Sequence, residues 1–552
     1  MATQADVSPG ASVDRNLRKQ VGFIGLTWAS AGSIIGSGWL FGSFFAVQIA
    51  GTAAILSWLI GAVALMVLAF VHAELGGMFP AAGGTARYPH YAFGYATGAS
   101  FGWFAWLQAA AVAPVEVLAV LSYGTVHISW LTTTDAAGNP VPSFPRGYVV
   151  AVVLLAIFIG INFFGVRWLA HTNSAATWWK IFVPILAIIV LGIKSFHGSN
   201  FGAHGGFMPY GIHGVFAATA AGAVIFALLG FEQAIQFGGE SANPQRDLPR
   251  AVIMSMIIGA VIYILLQVVF IAALPAGSLD HGWAKLSFTN DAGPFAAIAS
   301  LAALGWLATI LYIDALISPG GTGLIYTSST ARVSYGLSKN GYVPSAMERT
   351  NNQGVPWVSL IAAFIASLIF FLPFPSWQNL VELITAASVL MYAGAPLAFG
   401  VFRLHHNERP RAYRLPWGEF WSPVAFFIAN VLIFWAGWTT VWKLGVAILI
   451  GWVLIGITFV FRLNPRTPTF DKLDWKNAMW LPVYLIGLGV ITWQGTYGGG
   501  AGHIKLGVDF LVLAAFSAII YYWARAVSLR PERTEELIDA GAKEVVPETV
   551  LS

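Results

Sequence analysis

Residues 32–42 read GSIIGSGWLFG, inside a run from Val21 to Ala73 that holds no charged residue. A run of that kind belongs in a bilayer, where a helix needs about 20 apolar residues to cross a hydrocarbon core of about 30 Å. Yet Gly32, Gly36, Gly38 and Gly42, with Ser33 and Ser37, crowd the middle of it. Small residues let membrane helices pack closely, which is one reading. The other is a broken helix, and non-helical backbone at membrane depth is tolerated only where it lines a cavity or is buried in protein.

The composition fixes the solvent. The chain has 552 residues, of which 57% are hydrophobic and 9% charged, against about 25% charged in soluble domains. It is an integral membrane protein. The absence of cysteine excludes disulfides, a thiolate nucleophile and cysteine-ligated metals. The net charge of +4 is small for this length, and residues 1–20 end in Arg15, Arg18 and Lys19 without the apolar core of a signal peptide. They read as a cytoplasmic tail, not a nucleic-acid-binding arm.

Fourteen segments are apolar enough to be read as spans. They lie at about 21–48, 52–79, 98–130, 147–166, 174–196, 214–238, 250–274, 294–336, 357–374, 378–402, 421–441, 443–461, 478–496 and 506–526. With the N-terminus inside, 22 of the 28 lysines and arginines fall on the inner side, as expected when translocated loops avoid positive charge. Both termini are therefore expected in the cytoplasm, with the chain multi-pass in the cytoplasmic (inner) membrane. The expected division is a tail over 1–20, a core of ten spans over 21–402, a basic loop over 403–420, accessory spans over 421–526 and a solvated, mobile tail over 527–552. The loop RLHHNERPRAYR at 403–414 offers His405, His406 and Glu408. It reads as a basic loop that fixes orientation and touches anionic lipid, rather than as a metal site.

A second interruption lies five spans after the first. Residues 223–239 read AVIFALLGFEQAIQFGG, with Gly230 and Phe231 followed by Glu232 and Gln233 at mid-depth. Matching interruptions in corresponding helices of two halves point to a transporter built as an inverted repeat. The second half-helix of the first break presents unpaired N–H groups and the positive end of a dipole. The N–H groups of Ile35, Gly36, Ser37 and Gly38 are expected to bind a substrate α-carboxylate. Carbonyls near 226–230, with Gly230, Phe231 and Glu232, suit an α-ammonium. Two such poles describe an amino acid.

These residues resemble the amino acid–polyamine–organocation transporter superfamily. The resemblance extends to AELGGMFP at 73–80, Gly83-Gly84, Gly239-Glu240, NPQRDLP at 243–249 and STARVSYGLSKNGYVP at 329–344, in order across about residues 20–460. A narrower resemblance, to the bacterial aspartate–proton symporter branch, rests on Arg87-Tyr88-Pro89, Tyr91, His281-Gly282-Trp283, LGWLATILYIDALISPGGTG at 304–323 and LPFPSW at 372–377. It implies an all-α, LeuT-like fold of five plus five spans with four more, and proton-coupled symport of aspartate or another acidic amino acid, with no cofactor beyond the coupling proton. That branch carries a histidine in place of Glu232. An anionic side chain beside an ionised Glu232 is repelled, unless that glutamate binds the ammonium or is protonated.

Ionisable groups at depth are functional candidates by default. The resemblance implies that Lys180, in TWWKIFVP, replaces the cation of sodium-coupled relatives and couples a proton to closure. The structural alternative is a lysine that snorkels to the headgroups. Asp314, in an apolar run, and Glu116, after Pro114, are further coupling candidates. Glu74, Glu240 and Arg87 fall in motifs near cytoplasmic ends and suit a gate or a loop-fixing role. There is no phosphate loop and no HExxH pair, so neither ATP-driven pumping nor metalloprotease chemistry has a foothold. A neutral or cationic amino acid or polyamine exchanger is the alternative substrate reading. A non-transporting sensor or a channel is the alternative of another class, although a channel calls for a continuous polar stripe.

Overall fold

The computed structural model describes residues 21–80, 84–136, 138–164, 166–238, 241–275, 277–288 and 293–543. The chain opens with α1 (Phe23–Ile34) and α2 (Gly38–Ala50), then α3 (Ala54–Met78), the short α4 (Gly84–Phe93) and the long α5 (Tyr95–Gly124). A hairpin of β1 (Thr132–Thr134) and β2 (Pro140–Pro142), with Thr132 opposite Pro142, precedes α6 (Arg146–Phe163) and α7 (Val166–Lys194). Next come α8 (Gly211–Ala221), α9 (Val224–Leu228), α10 (Glu232–Gln236) and α11 (Pro244–Ala273). They are followed by α12 (Pro294–Leu301), α13 (Gly305–Lys339), α14 (Trp357–Phe370) and α15 (Trp377–His405). The last five helices are α16 (Gly418–Ala436), α17 (Trp438–Val460), α18 (Trp480–Gln494), α19 (Val508–Ala526) and α20 (Pro531–Lys543).

Among the described residues the architecture is all-helical apart from that hairpin, which the sequence did not announce. Among the described residues ten helical stretches are long and apolar enough to cross a membrane. Gly38–Met78 counts as one of them, because α2 passes into α3 through a single turn at Gly51–Ala53. Three further apolar helices, Phe23–Ile34, Gly211–Ala221 and Trp357–Phe370, are shorter. Two of the fourteen segments read from sequence, 21–48 and 214–238, are thus chains of short helices.

Burial sorts the helices by position. α15 is buried along its apolar length and α5 nearly so, with α13 packed along α5 and α3 along α11 around them. α6 and α17 lie at the periphery, exposing Val149, Val153 and Ile157, and Leu449, Ile450 and Val453. Apolar faces of that extent suit lipid, not water.

The C-terminal segment departs from the expectation of a mobile tail. Through Lys543 it is a helix docked on α4: Thr534 Oγ1 donates to the Tyr91 carbonyl at 3.0 Å, and the Leu529 N–H donates to that of Ala92 at 3.0 Å. The cause is a narrow inward stripe, with Thr534 and Ile538 buried among outward Glu and Arg side chains. A short amphipathic stripe is easily missed in so charged a segment.

Candidate functional site

The first break separates α1 from α2. Helical bonding ends where the N–H groups of Ile35 and Gly36 donate to the carbonyls of Ala31 (3.0 Å) and Ile34 (3.2 Å). The Ser37 N–H, at the start of α2, donates to Glu116 Oε2 of α5 at 2.9 Å. Of the donors assigned from sequence to a carboxylate, Ile35 and Gly36 are thus engaged by backbone, and Ser37 already faces a carboxylate of the protein itself. Gly36 leaves no free space for a side chain, since a Cβ there would lie 2.7 Å from Glu116 Oε1 and 2.8 Å from Thr322 Oγ1 and would have to push those side chains aside. Gly38 abuts the second break, where a Cβ would come within 2.8 Å of Ala227 Cα.

The second break lies between α9 and α10 and crosses the first. Gly230 has φ +124°, a region closed to other residues. A Cβ there would sit 2.9 Å from the Ile34 nitrogen. Ser30 of α1 joins the two breaks: its hydroxyl donates to the Phe231 carbonyl (3.0 Å) and accepts from the Ala234 N–H (2.9 Å). Freed carbonyls of the first break find hydroxyl donors, Tyr263 on Ile34 at 2.8 Å and Thr322 on Gly32 at 3.3 Å.

Glu232 is fully buried and surrounded by donors. Its Oε2 accepts from Tyr392 Oη at 2.5 Å and from the Gly230 N–H at 3.0 Å, and its Oε1 accepts from Tyr326 Oη at 3.1 Å. The carboxyl group is therefore engaged by the protein. Phe231 stacks on Tyr392, with ring centroids 4.7 Å apart, and is packing here.

Lys180 is also fully buried, so it does not snorkel to an interface. Its Nζ donates to the Gly32 carbonyl of the first break and to Thr322 Oγ1 of α13 at 2.6 Å, which ties α1, α7 and α13 together. Among the described residues no carboxylate is in ion-pair contact with it. Asp314 accepts from Trp39 Nε1 of α2 at 3.0 Å and from Ser318 Oγ at 2.7 Å. The two breaks, Glu116, Glu232, Lys180 and Asp314 thus belong to one buried polar cluster.

Gly36, Gly38, Glu116, Phe226, Thr322 and Tyr326 line a cavity of only about 10 Å³, room for roughly one water. On the hairpin side a vestibule of about 310 Å³ is lined by Phe41, Phe45, Gln48, Asn139 and Trp377. Trp377 closes the way between them, its Nε1 donating to Ser37 Oγ at 2.9 Å and its ring lying 4.8 Å from Phe41 and 5.6 Å from Phe226. From the vestibule, a ligand the size of an amino acid reaches that cavity only if this aromatic layer moves.

Glu74 and Arg87 stand apart from that cluster. Glu74 is held by Arg403 (2.6 Å), Arg411 (2.9 Å) and the Leu415 N–H (2.7 Å). Two arginines of the loop 403–414, Arg403 and Arg411, therefore turn inward, while Arg414 stays exposed. His406 and Arg409 pair with Glu535 of α20, each at 3.0 Å, and no group of metal-ligating residues forms among the described residues. Arg87 lies on α4, 3.4 Å from Tyr91 Oη, away from the breaks. Glu240 lies outside the described residues.

Sequence reading missed Ser30, Tyr263, Thr322, Tyr326, Tyr392 and Trp377. Thr27, Ser30 and Ser33 recur every three residues on α1, a polar stripe that could have exposed Ser30. The tyrosines carry no such local mark, since aromatics make up 14% of the chain.

Comparison with known proteins agrees with this geometry. A family model described as amino acid permease matches residues 21–444. The chain is 35% identical to the glutamate/serine transporter AimA of Bacillus subtilis (strain 168), over 92% of this chain and 94% of that protein. It is 33% identical to the aspartate-proton symporter of the same organism, over 93% and 97%. The branched-chain amino acid permease BcaP, also from that organism, is 24% identical over 84% and 96%. These relatives are transporters and permeases, not enzymes. With a broken-helix core and a family match over most of its length, the chain belongs to the amino acid permease family, a family of multi-pass membrane transporters.

Proposed function

We propose that this protein is a proton-coupled symporter that carries an acidic amino acid, such as aspartate or glutamate, across the cytoplasmic membrane by alternating access. The observation that carries the reading is the crossing of two helix breaks beside a buried lysine bonded to the Gly32 carbonyl of the first. The names of the relatives, a glutamate/serine transporter and an aspartate-proton symporter, support the substrate class and the coupling ion.

In this reading the substrate α-carboxylate takes the Ser37 N–H from Glu116. Two carboxylates at one half-helix N-terminus repel each other, so the substrate binds together with a proton on Glu116. Each binding event then imports a proton. The α-ammonium lies towards the second break, where Glu232 and the backbone near Gly230 form the cation pole. Lys180 is the coupling switch: as an ammonium it ties α1 to α13 through Gly32 and Thr322, and loss of its proton loosens that tie. Asp314, bonded to Trp39, passes the change to α2. Trp377, Phe41 and Phe226 form the outer lid, and the ion pairs of Glu74 hold the inner side.

The architecture in this reading is fourteen crossings with both termini cytoplasmic. Residues 21–402 form a five-plus-five inverted repeat, the two breaks opening its halves, and residues 421–526 add four accessory spans. The skew of lysine and arginine towards one side supports the orientation. A neutral amino acid is the second reading, favoured by the carboxylates of Glu116 and Glu232 at the site, which would repel an acidic side chain.

The test is uptake of labelled aspartate, glutamate, serine, alanine and arginine into proteoliposomes, with and without an inward proton gradient. Gradient-driven uptake of the acidic pair is expected. Preference for serine or alanine would select the second reading, and uptake indifferent to the gradient would remove proton coupling.

A further inference from the structure

One wall of the small cavity between the helix breaks is α5, which contributes Gln108, Val112 and Glu116 to its lining. They come from three successive turns, since residues four apart share a face of a helix. From Leu107 to Leu121, Gln108 and Glu116 are the only polar residues, and each is 1% exposed. Glu116 is engaged by the Ser37 N–H at 2.9 Å. Gln108 stands two turns away, about 12 Å by the rise of the helix.

The other polar side chains of the lining are committed. Ser33 Oγ donates to the Ala29 carbonyl at 2.9 Å, Thr322 Oγ1 accepts from Lys180 at 2.6 Å, and Tyr326 Oη donates to Glu232 at 3.1 Å. Gln108 Nε2 has no hydrogen-bond partner among the described residues, although Tyr326 stands beside it. Tyr326 gives its proton to Glu232, which leaves the amide uncommitted. A buried donor that bonds to nothing is costly, and calls for an explanation. The natural acceptor for a neutral amide in a candidate amino acid site is a carboxylate, which forms a charge-assisted hydrogen bond with it.

We propose, building on the acidic-substrate reading above, that Gln108 determines specificity by donating Nε2–H to the side-chain carboxylate of the substrate. With the α-carboxylate held at the Ser37 N–H beside Glu116, a free donor two turns along α5 serves the other end of the ligand. The cavity widens to admit the ligand when the aromatic layer moves. A substrate whose side chain has no acceptor leaves the amide unpaired in a buried site, and a site built around such a bond discriminates against the analogue that lacks it. Gln108 thereby offsets the repulsion that Glu116 and Glu232 exert on an acidic side chain.

The experiment measures uptake of labelled aspartate, glutamate and serine by the full-length protein in proteoliposomes, unaltered and as Gln108→Leu and Gln108→Asn. Leucine removes the donor at similar size, and should raise KM for aspartate and glutamate at least about tenfold more than KM for serine. Asparagine keeps the donor but withdraws it by one methylene, and should shift the ratio of kcat/KM at least about threefold towards glutamate, the longer acid. If the unaltered protein carries neither acid, the acidic-substrate reading fails and takes this assignment with it. If it carries them and Gln108→Leu leaves their KM unchanged, or raises that of serine equally, the assignment alone is overturned. Should Gln108→Leu not fold, an unchanged aspartate-to-glutamate ratio in Gln108→Asn overturns it instead.

Discussion

Two buried charges in this molecule are treated in opposite ways. Glu74 meets two guanidinium groups and a backbone N–H, so its charge is matched. Lys180, equally buried, donates to a carbonyl and a hydroxyl, and among the described residues no carboxylate is in ion-pair contact with it. A matched ion pair resists any rearrangement that would strand one partner. An ammonium bonded directly only to neutral groups can release its proton without breaking an ion pair. The first arrangement suits a fixed clamp and the second a switch.

That contrast can be broken by substitution. The largest effect is expected at the clamp: Glu74→Ala strands Arg403 and Arg411 and should lower stability by about 3–5 kcal/mol, read as a fall in the unfolding temperature of purified protein. Unchanged stability with lost transport would make Glu74 part of the switch instead. Lys180→Ala should do the reverse, lowering gradient-driven uptake about a hundredfold, equivalent to about 2.7 kcal/mol, while the protein still inserts and purifies. Retained gradient dependence in that variant would leave coupling to Glu116 and Asp314.

Smaller changes sharpen the comparison around the breaks. Gly36→Leu fills the space between Glu116 and Thr322 and should weaken substrate binding at least about tenfold, or about 1.4 kcal/mol, with insertion intact. Full affinity in that variant would reduce the first break to a packing feature. Tyr392→Phe removes one of the donors to Glu232. Its expected cost is about 1 kcal/mol, measured as a modest rise in the apparent KM for uptake. A complete loss of transport would show that the tyrosine touches the substrate.

Much of this was legible in the chain. The helical membrane class follows from an apolar composition and the length of its runs. Both breaks followed from glycines and a glutamate set where a helix should be regular, as at Gly36, Gly230 and Glu232. The partners of those residues were not legible. Tyr392 lies 160 positions from Glu232, and Glu116 lies 79 from Ser37, and a tyrosine or glutamate in an apolar helix has no local pattern that names its partner. Arg403 and Arg411 look like any basic loop until Glu74, more than 300 residues earlier, draws them inward. The helix over Pro531–Lys543 was hidden for a similar reason, its few apolar residues gaining meaning only against α4.

The sequence by itself determined that the chain lives in a bilayer, where two of its helices must break, and which ionisable groups are stranded at depth. Solvent and local backbone preference suffice for that, since each is a property of consecutive residues. Tertiary structure alone decided that the two breaks cross at Gly230, that Glu116 accepts from the Ser37 N–H at the start of α2, and that Lys180 is bonded to Gly32 and Thr322 rather than exposed at an interface. Those outcomes depend on which distant dipoles meet a buried charge, and only the packed bundle brings them together.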